Sequence, residues 1–343
     1  MFGNVIAKRT TFKKLSNIAN TNPKVYYLQK GFFYPNFLYR IVGIVLTEKG
    51  NIINSWNYNN SLSRWSFSKN LSITFFKYDI FLSKKIFLFL NFFKKKINIY
   101  LQNNDIILFG PWPNVYAHQL VDFILRINFI KNKKYKRVFV PSFLKKILTS
   151  NPYKKIFFNF NFVFYNYKNN TIFHNLKYLS GINHYSQNKT LRNVIVDLNS
   201  SIHQKFNLDS KELKYTLISR SKSSRVLKNE DQLYKMLSKH KFKKYYFENL
   251  SYLEQIRLCY NSKIIIGVQG SGLTNLIFMK KNSNLIEMTN SFIKNPVIKL
   301  LCKINKINYF NVPFSVNNSD LSGFVNIDLV EKKVLSILKK TII

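Results

Sequence analysis

The residues best able to do chemistry lie at 263–279, where the apolar run Lys263-Ile264-Ile265-Ile266-Gly267-Val268 passes into Gln269-Gly270-Ser271-Gly272-Leu273-Thr274-Asn275 and then Leu276-Ile277-Phe278-Met279. β-Branched residues, a Gly-Ser-Gly turn and a renewed apolar stretch predict a buried parallel strand, a tight loop and a helix start. The first amides of such a helix lack partners within it and sit at the positive end of its dipole, so small residues there admit an anion such as phosphate. The spacing matches neither G-x-G-x-x-G nor G-x-x-x-x-G-K-[ST], and turns of this shape also serve plain packing. A second candidate is the pair His118 and Asp122, four apart on one predicted helical face. An imidazole beside a carboxylate suits proton transfer near neutral pH. A lone histidine on an apolar helix is more often a satisfied core residue, and Asp122 is equally placed to meet Arg126.

These residues need elements to hold them. Asp105-Ile106-Ile107-Leu108-Phe109 predicts a strand, broken by Gly110-Pro111-Trp112-Pro113, and residues 114–130 carry helical apolar spacing. Arg137-Val138-Phe139-Val140 predicts a strand stopped by Pro141, followed by a helix over 142–148. A new alternation begins after the polar stretch Asn207-Leu208-Asp209-Ser210. It comprises a strand Tyr215-Thr216-Leu217-Ile218-Ser219, a loop 221–224, a helix 230–238 capped by Asn229 with Gln232 as reciprocal partner, and a capping box Ser251-Tyr252-Leu253-Glu254 opening a helix through Tyr260. The 263–268 strand, the glycine turn and a strand Leu285-Ile286-Glu287-Met288 complete it. Alternating strands and helices predict α/β domains with mainly parallel sheets. The expected division is an irregular N-terminal region 1–100 packed on the first domain, a first α/β domain 101–208, a second 209–325 and a closing helix 326–343. Within the first hundred residues, Arg40-Ile41-Val42-Gly43-Ile44-Val45-Leu46 is strand-like and ends at a Lys49-Gly50-Asn51 turn.

Composition narrows the classes. A chain of 343 residues, 46% hydrophobic, can build two cores, and Cys259 with Cys302 supplies neither a disulfide framework nor a C-x-x-C metal spacing. The formal charge of +39 favours anionic partners, either an acidic bilayer or nucleic acid. Much of it is lysine accompanied by abundant Asn, Ile, Phe and Tyr, the signature of AT-rich coding, and no RRM or zinc-finger pattern supports the nucleic-acid alternative. The strongest apolar stretch, 86–93, is fenced by lysines and falls short of the roughly 20 residues of a membrane span. The first nine residues lack the apolar core of a secretory signal, so the expected setting is cytoplasmic, peripheral on the inner face of the membrane. None of the eight aspartates forms Asp-x-Asp, and His118, His174, His184, His203 and His240 show no i, i+4 spacing and no cysteine companions. Neither a metal nor a cofactor is expected.

Read together, Ile218-Ser219-Arg220, Arg225, Asn229-Glu230, Glu254-Gln255, Ile266-Gly267, the 270–275 turn and Ile286-Glu287 resemble the core of the family 61 glycosyltransferases, which include bacterial capsular-polysaccharide transferases. Asn114-Val115-Tyr116-Ala117-His118-Gln119-Leu120-Val121-Asp122 looks like that family's upstream segment, so the resemblance covers about residues 105–305. It implies a GT-B-like α/β fold, two Rossmann-like domains with a cleft between them. It also implies a nucleotide-sugar donor, a glycan or lipid-linked acceptor in surface polysaccharide synthesis, and inversion without a metal. Arg220 and Arg225 would then fork onto the diphosphate, an ion pair with Glu230 being the plain alternative. Gly270, Ser271 and Gly272 would bring amides to the same group, with Gln269 beside them, while Thr274 and Asn275 would either add bonds or cap the helix. Glu287 would accept from ribose hydroxyls, and His118 with Asp122, or Glu230 in reserve, would take the acceptor's proton. Family members usually carry His where Gln269 stands. Glutamine neither takes a proton nor bears charge, which keeps a non-catalytic relative open as an alternative.

Overall fold

The computed structural model describes strands 24–34, 44–47, 52–53 and 97–100 among the first hundred residues, and beyond them 101–108, 115–166, 171–180, 182, 189–210, 212–220, 225–290, 296–316 and 322–339. The expected turn at 49–51, the apolar stretch 86–93, the break at 110–113 and the loop 221–224 lie outside those residues. Two compact units are present, 1–194 and 195–343.

The first unit holds strands β1 (Lys24–Tyr34), β2 (Ile44–Thr47), β3 (Ile52–Ile53), β4 (Ile97–Tyr100), β5 (Asp105–Ile107), β6 (Arg137–Pro141), β7 (Asn161–Tyr165) and β8 (Thr171–Ser180) in one mixed sheet, ordered β3-β2-β1-β8-β5-β6-β7 with β4 also on β8. β8, β5, β6 and β7 run parallel, while β1 joins β8 antiparallel, so the described residues among the first hundred enter the sheet as strands. Between β5 and β6 runs the helix α1, residues 116–130, in three stretches: α-helical Tyr116–His118, π-helical Gln119–Ile124 and α-helical Leu125–Ile130. Leu120, Val121, Phe123, Ile124 and Ile127 are all buried, together with Ile106 and Val138 of the strands. A helix buried this fully belongs inside, with Asp122, Arg126 and Asn128 as its buried polar residues, and each such apolar side chain contributes about 1.5–3 kcal/mol relative to exposure. Short helices α2 (Lys145–Leu148) and α3 (Tyr153–Ile156) follow β6, and α4 (Lys189–Phe206) contains the division between the units.

The second unit is doubly wound. Strands β9 (Lys214–Ile218), β10 (Phe242–Tyr245), β11 (Ser262–Val268), β12 (Asn284–Asn290), β13 (Asn308–Val316) and β14 (Gly323–Val325) are ordered β10-β9-β11-β12-β13-β14, parallel except for β14. Their helices are α5 (Glu230–Ser238), α6 (Tyr252–Tyr260), α7 (Val297–Asn305) and α8 (Ile327–Lys339). Alternation along the strands sorts the faces. Ile264, Ile266, Val268, Ile286 and Met288 pack with Leu233 and Leu237 of α5 and Val330, Val334 and Ile337 of α8. Ile265, Gly267, Leu285 and Glu287 therefore face the other way, toward α6 and α7. With five parallel strands numbered in sequence, the order is 2-1-3-4-5, and the chain reverses its winding between β9 and β11.

The expected elements at 105, 137, 215, 263 and 285 are present with small shifts of boundary. Ser251 and Glu254 form the reciprocal capping box, at 2.7 and 3.3 Å. The expected cap at Asn229 is absent: its carboxamide is taken by β14, donating to Val325 O at 2.8 Å and accepting from Val325 N at 3.1 Å. The segment after the glycine turn, Ser271–Phe278, is a 3-10 helix.

Candidate functional site

Open α/β sheets present ligand sites beyond the carboxyl ends of their strands, where the winding reverses. Here that place lies between the ends of β9 and β11. Ile218 and Glu287 both lie level with Gly267 across three adjacent strands, so the residues that follow, Arg220 on one side and Gln269-Gly270 on the other, emerge together. The guanidinium of Arg220 rests against Gly270 so closely that a Cβ on that residue would overlap Nη1 and stand 2.7 Å from Cζ. Gly270 itself is extended, with φ 178°, so the glycine is required for room and not for conformation. Gly267 has a similar use one layer down, where a Cβ would come within 2.9 Å of Leu273 Cδ2.

Arg225 supplies a second cation. Burial and the like charge of Arg225 lower the pKa of Arg220 to about 10, with Glu248 pulling the other way, so Arg220 stays charged at neutral pH. Arg225 is lowered by its own burial and raised by Glu287. Two half-buried guanidinium groups that repel each other are costly in an empty site and become favourable when an anion bridges them. The backbone at Arg225 is left-handed, φ 66°, and its loop is fastened to the C-terminal strand. Val226 N donates to Ser322 Oγ at 3.1 Å, Gly323 N to Val226 O at 3.1 Å and Lys228 N to Gly323 O at 2.8 Å.

Glu287 is 1% exposed. The Tyr309 hydroxyl donates to its Oε2 at 2.7 Å, while Oε1 is sealed from water and lacks a well-directed hydrogen bond, with the Gln269 amide beside it. Burial raises the carboxyl to about pH 7 against the opposing pulls of Tyr309, Gln269 and Arg225. Because the folded state disfavours the carboxylate, stability is lost as pH climbs from the ordinary value of 4.5 to about 7. A shift of that size corresponds to about 3 kcal/mol. Glu287→Gln should therefore be more stable than the parent at pH 8, by about 1–3 kcal/mol, with no gain at pH 4.5. Urea unfolding at the two pH values checks this, and an equal effect at both would refute it.

The remaining residues of the turn fasten it. Thr274 Oγ1 donates to Ser271 O at 2.5 Å, and Asn275 Nδ2 donates to Gly272 O at 3.2 Å and Gln255 Oε1 at 3.1 Å. Gln255 is in turn anchored to Phe247 O and Leu250 O. Glu230 receives Ser219 Oγ at 2.6 Å and lies 3.7 Å from Lys244, so it holds the residue preceding Arg220.

His118 and Asp122 do meet. Asp122, wholly buried, accepts from His118 Nδ1 at 2.6 Å, which selects the tautomer and leaves Nε2 as the basic nitrogen. Arg126, one turn on, donates Nε–H to Ile182 O at 2.8 Å. Among the described residues no three of His, Cys, Asp and Glu gather as metal ligands do.

Comparison with known proteins bears on this arrangement. The family model for glycosyltransferase 61 matches residues 116–286, about half of the chain. The chain belongs to glycosyltransferase family 61. EGF domain-specific O-linked N-acetylglucosamine transferases of Mus musculus and Gallus gallus are 30% and 31% identical to it over 84 residues, 23% of this chain. The Bos taurus protein is 29% identical over the same length. The chain thus spans only 16% of the length of these curated relatives. In this family 61 member the matched stretch carries His118, Asp122, Arg220, Arg225, Glu230 and the 269–275 turn, and ends one residue before Glu287. Sequence reasoning missed Tyr309, and it named Ser219 and Gln255 within the resemblance without assigning them a role. In a chain with 21 tyrosines a lone one carries no signal, and only the pairing of Glu287 with Asn311 shows that Tyr309 can reach its neighbour.

Proposed function

We propose that this family 61 member is an inverting, metal-independent transferase that moves a sugar from a nucleotide-sugar donor to a glycan or lipid-linked acceptor in surface polysaccharide synthesis. The observation that carries the reading is the Arg220 guanidinium lying on Gly270 where the sheet reverses its winding, with Arg225 adding a second positive charge. The donor's diphosphate would sit there, its departing charge met by two guanidinium forks and the first amides of the 271–278 helix. The acceptor hydroxyl would lose its proton to His118 Nε2 as it attacks the anomeric carbon, while the bond to the diphosphate breaks on the opposite face. Asp122 orients the imidazole and stabilises it once protonated. The proposed architecture is GT-B, supported by the doubly wound second unit and the parallel β8-β5-β6-β7 portion of the first. The proposed setting, at the inner face of an anionic membrane, rests on the formal charge of +39.

A thermal-shift screen against UDP, GDP, CDP and CMP sugars tests this. UDP-N-acetylglucosamine is the first donor to try, since the relatives are named as N-acetylglucosamine transferases. A ligand at a hundred times its Kd adds about 2.7 kcal/mol to the native state, a shift of a few degrees. Stabilisation by one nucleotide class, lost in Arg220→Ala, is expected, and no shift with any of them would overturn the reading.

A further inference from the structure

Glu287 is buried within reach of Arg225's charge, yet no salt bridge closes between them; the Gln269 side chain interacts with the carboxyl, and the oxygens Glu287 Oε1 and Gln269 Oε1 are both buried without a hydrogen bond. The groups facing it come from four elements. Tyr309 of β13 donates to Oε2; Cys302 of α7 stays a thiol because burial pushes it up; Gln269 covers it from the end of β11; Arg225 acts from the loop after β9, with Arg220 and Glu248 beyond. Of these, Arg225 is the only cation acting directly on the carboxylate. An arriving diphosphate would neutralise that cation and add negative charge nearby, and a buried carboxylate deprived of its compensating charge prefers the proton.

We propose that Glu287 takes up a proton from solvent at Oε1 when the diphosphate of the donor binds, and that Gln269 turns its amide to accept from the new carboxyl. The proposal rests on the donor reading given above and concerns how that site is regulated. An amide suits this role because its oxygen and its NH₂ lie on one rotatable group: it can donate to a carboxylate or accept from an acid. That gives a physical use to glutamine at position 269, in the turn where it sits beside Glu287. The carboxyl in the empty site already ionises at about pH 7, so the change falls within the neutral range.

Calorimetry of UDP-N-acetylglucosamine binding to the intact chain, in Pipes and in Tris at pH 7.5, counts the protons exchanged, because the ligand's diphosphate has no group titrating in that range. About half a proton should be taken up per nucleotide bound, and affinity should fall about fivefold to tenfold from pH 7 to 9. Glu287→Gln should show no uptake and a flat profile. Tyr309→Phe, which removes a bond favouring the carboxylate, should reduce uptake because the empty site is already protonated. Binding with equal uptake in the parent and Glu287→Gln, or with proton release, would overturn the proposal and leave the donor reading standing. No binding by the parent of UDP-N-acetylglucosamine, nor of a GDP, CDP or CMP sugar put in its place, would overturn both.

Discussion

Arg220→Ala should lower kcat/KM by about 10²–10³-fold, the loss that follows when one preorganised donor to a departing charge is removed. The guanidinium is held beside the turn before any ligand arrives, by the room at Gly270 and by Ser219, whose hydroxyl is tied to Glu230. Arg220→Lys should recover little, since an ammonium cannot present two parallel N–H bonds to a phosphate. Gly270→Ala separates position from charge: the three atoms nearest the added methyl all belong to the flexible end of Arg220, so the fold should persist while the guanidinium is displaced. A donor KM raised about tenfold with a melting temperature within about 2 °C of the parent is the expected pairing. Steady-state kinetics at varied donor, with thermal melts of the same samples, decide it. Full donor affinity in Arg220→Ala would place the diphosphate elsewhere.

The second large effect is expected in the first unit. Asp122→Asn should reduce kcat by about 10²–10⁴-fold, the usual contribution of a positioned general base, with donor affinity unchanged. An amide in place of the carboxylate can offer N–H to Nδ1 and so favour the other tautomer, moving the proton to the nitrogen that has to be basic. His118→Ala should cost a similar factor, and the double variant little more, because the two residues act as a unit. Single-turnover rates and calorimetric donor affinities, measured for all three, provide the check. Losses that multiply in the double variant, or that appear in donor affinity, would make the pair structural.

The turn and its flanking strand were legible because β-branched residues and glycines act locally: a run such as Ile264-Ile265-Ile266 has few other homes, and Gly-Ser-Gly interrupts it. The Ser251–Glu254 cap was legible for the same reason, its bonds closing within four residues. What escaped depends on distant partners. β10, with Lys243 and Lys244 in a four-residue edge strand, has no apolar alternation to announce it, since an edge carries charge to discourage further pairing. Asn229 has the right residue type and position for a cap, and only the arrival of Val325, 96 residues later, diverts it. Glu287 was found from its strand, but its burial beneath Gln269 and its bond to Tyr309 are properties of the assembled sheet.

The same C-terminal strand carries a consequence for biosynthesis. The loop bearing Arg225 is closed by Ser322, Gly323 and Val325, residues translated almost a hundred positions after it. One face of the β11–β12 sheet also packs on Val330, Val334 and Ile337, so the loop and that part of the core are completed by the same late stretch of chain. Competence for the ligand then arrives only once residues 322–337 have been made, and a product terminated before them would lack both the closed arginine loop and one wall of its core.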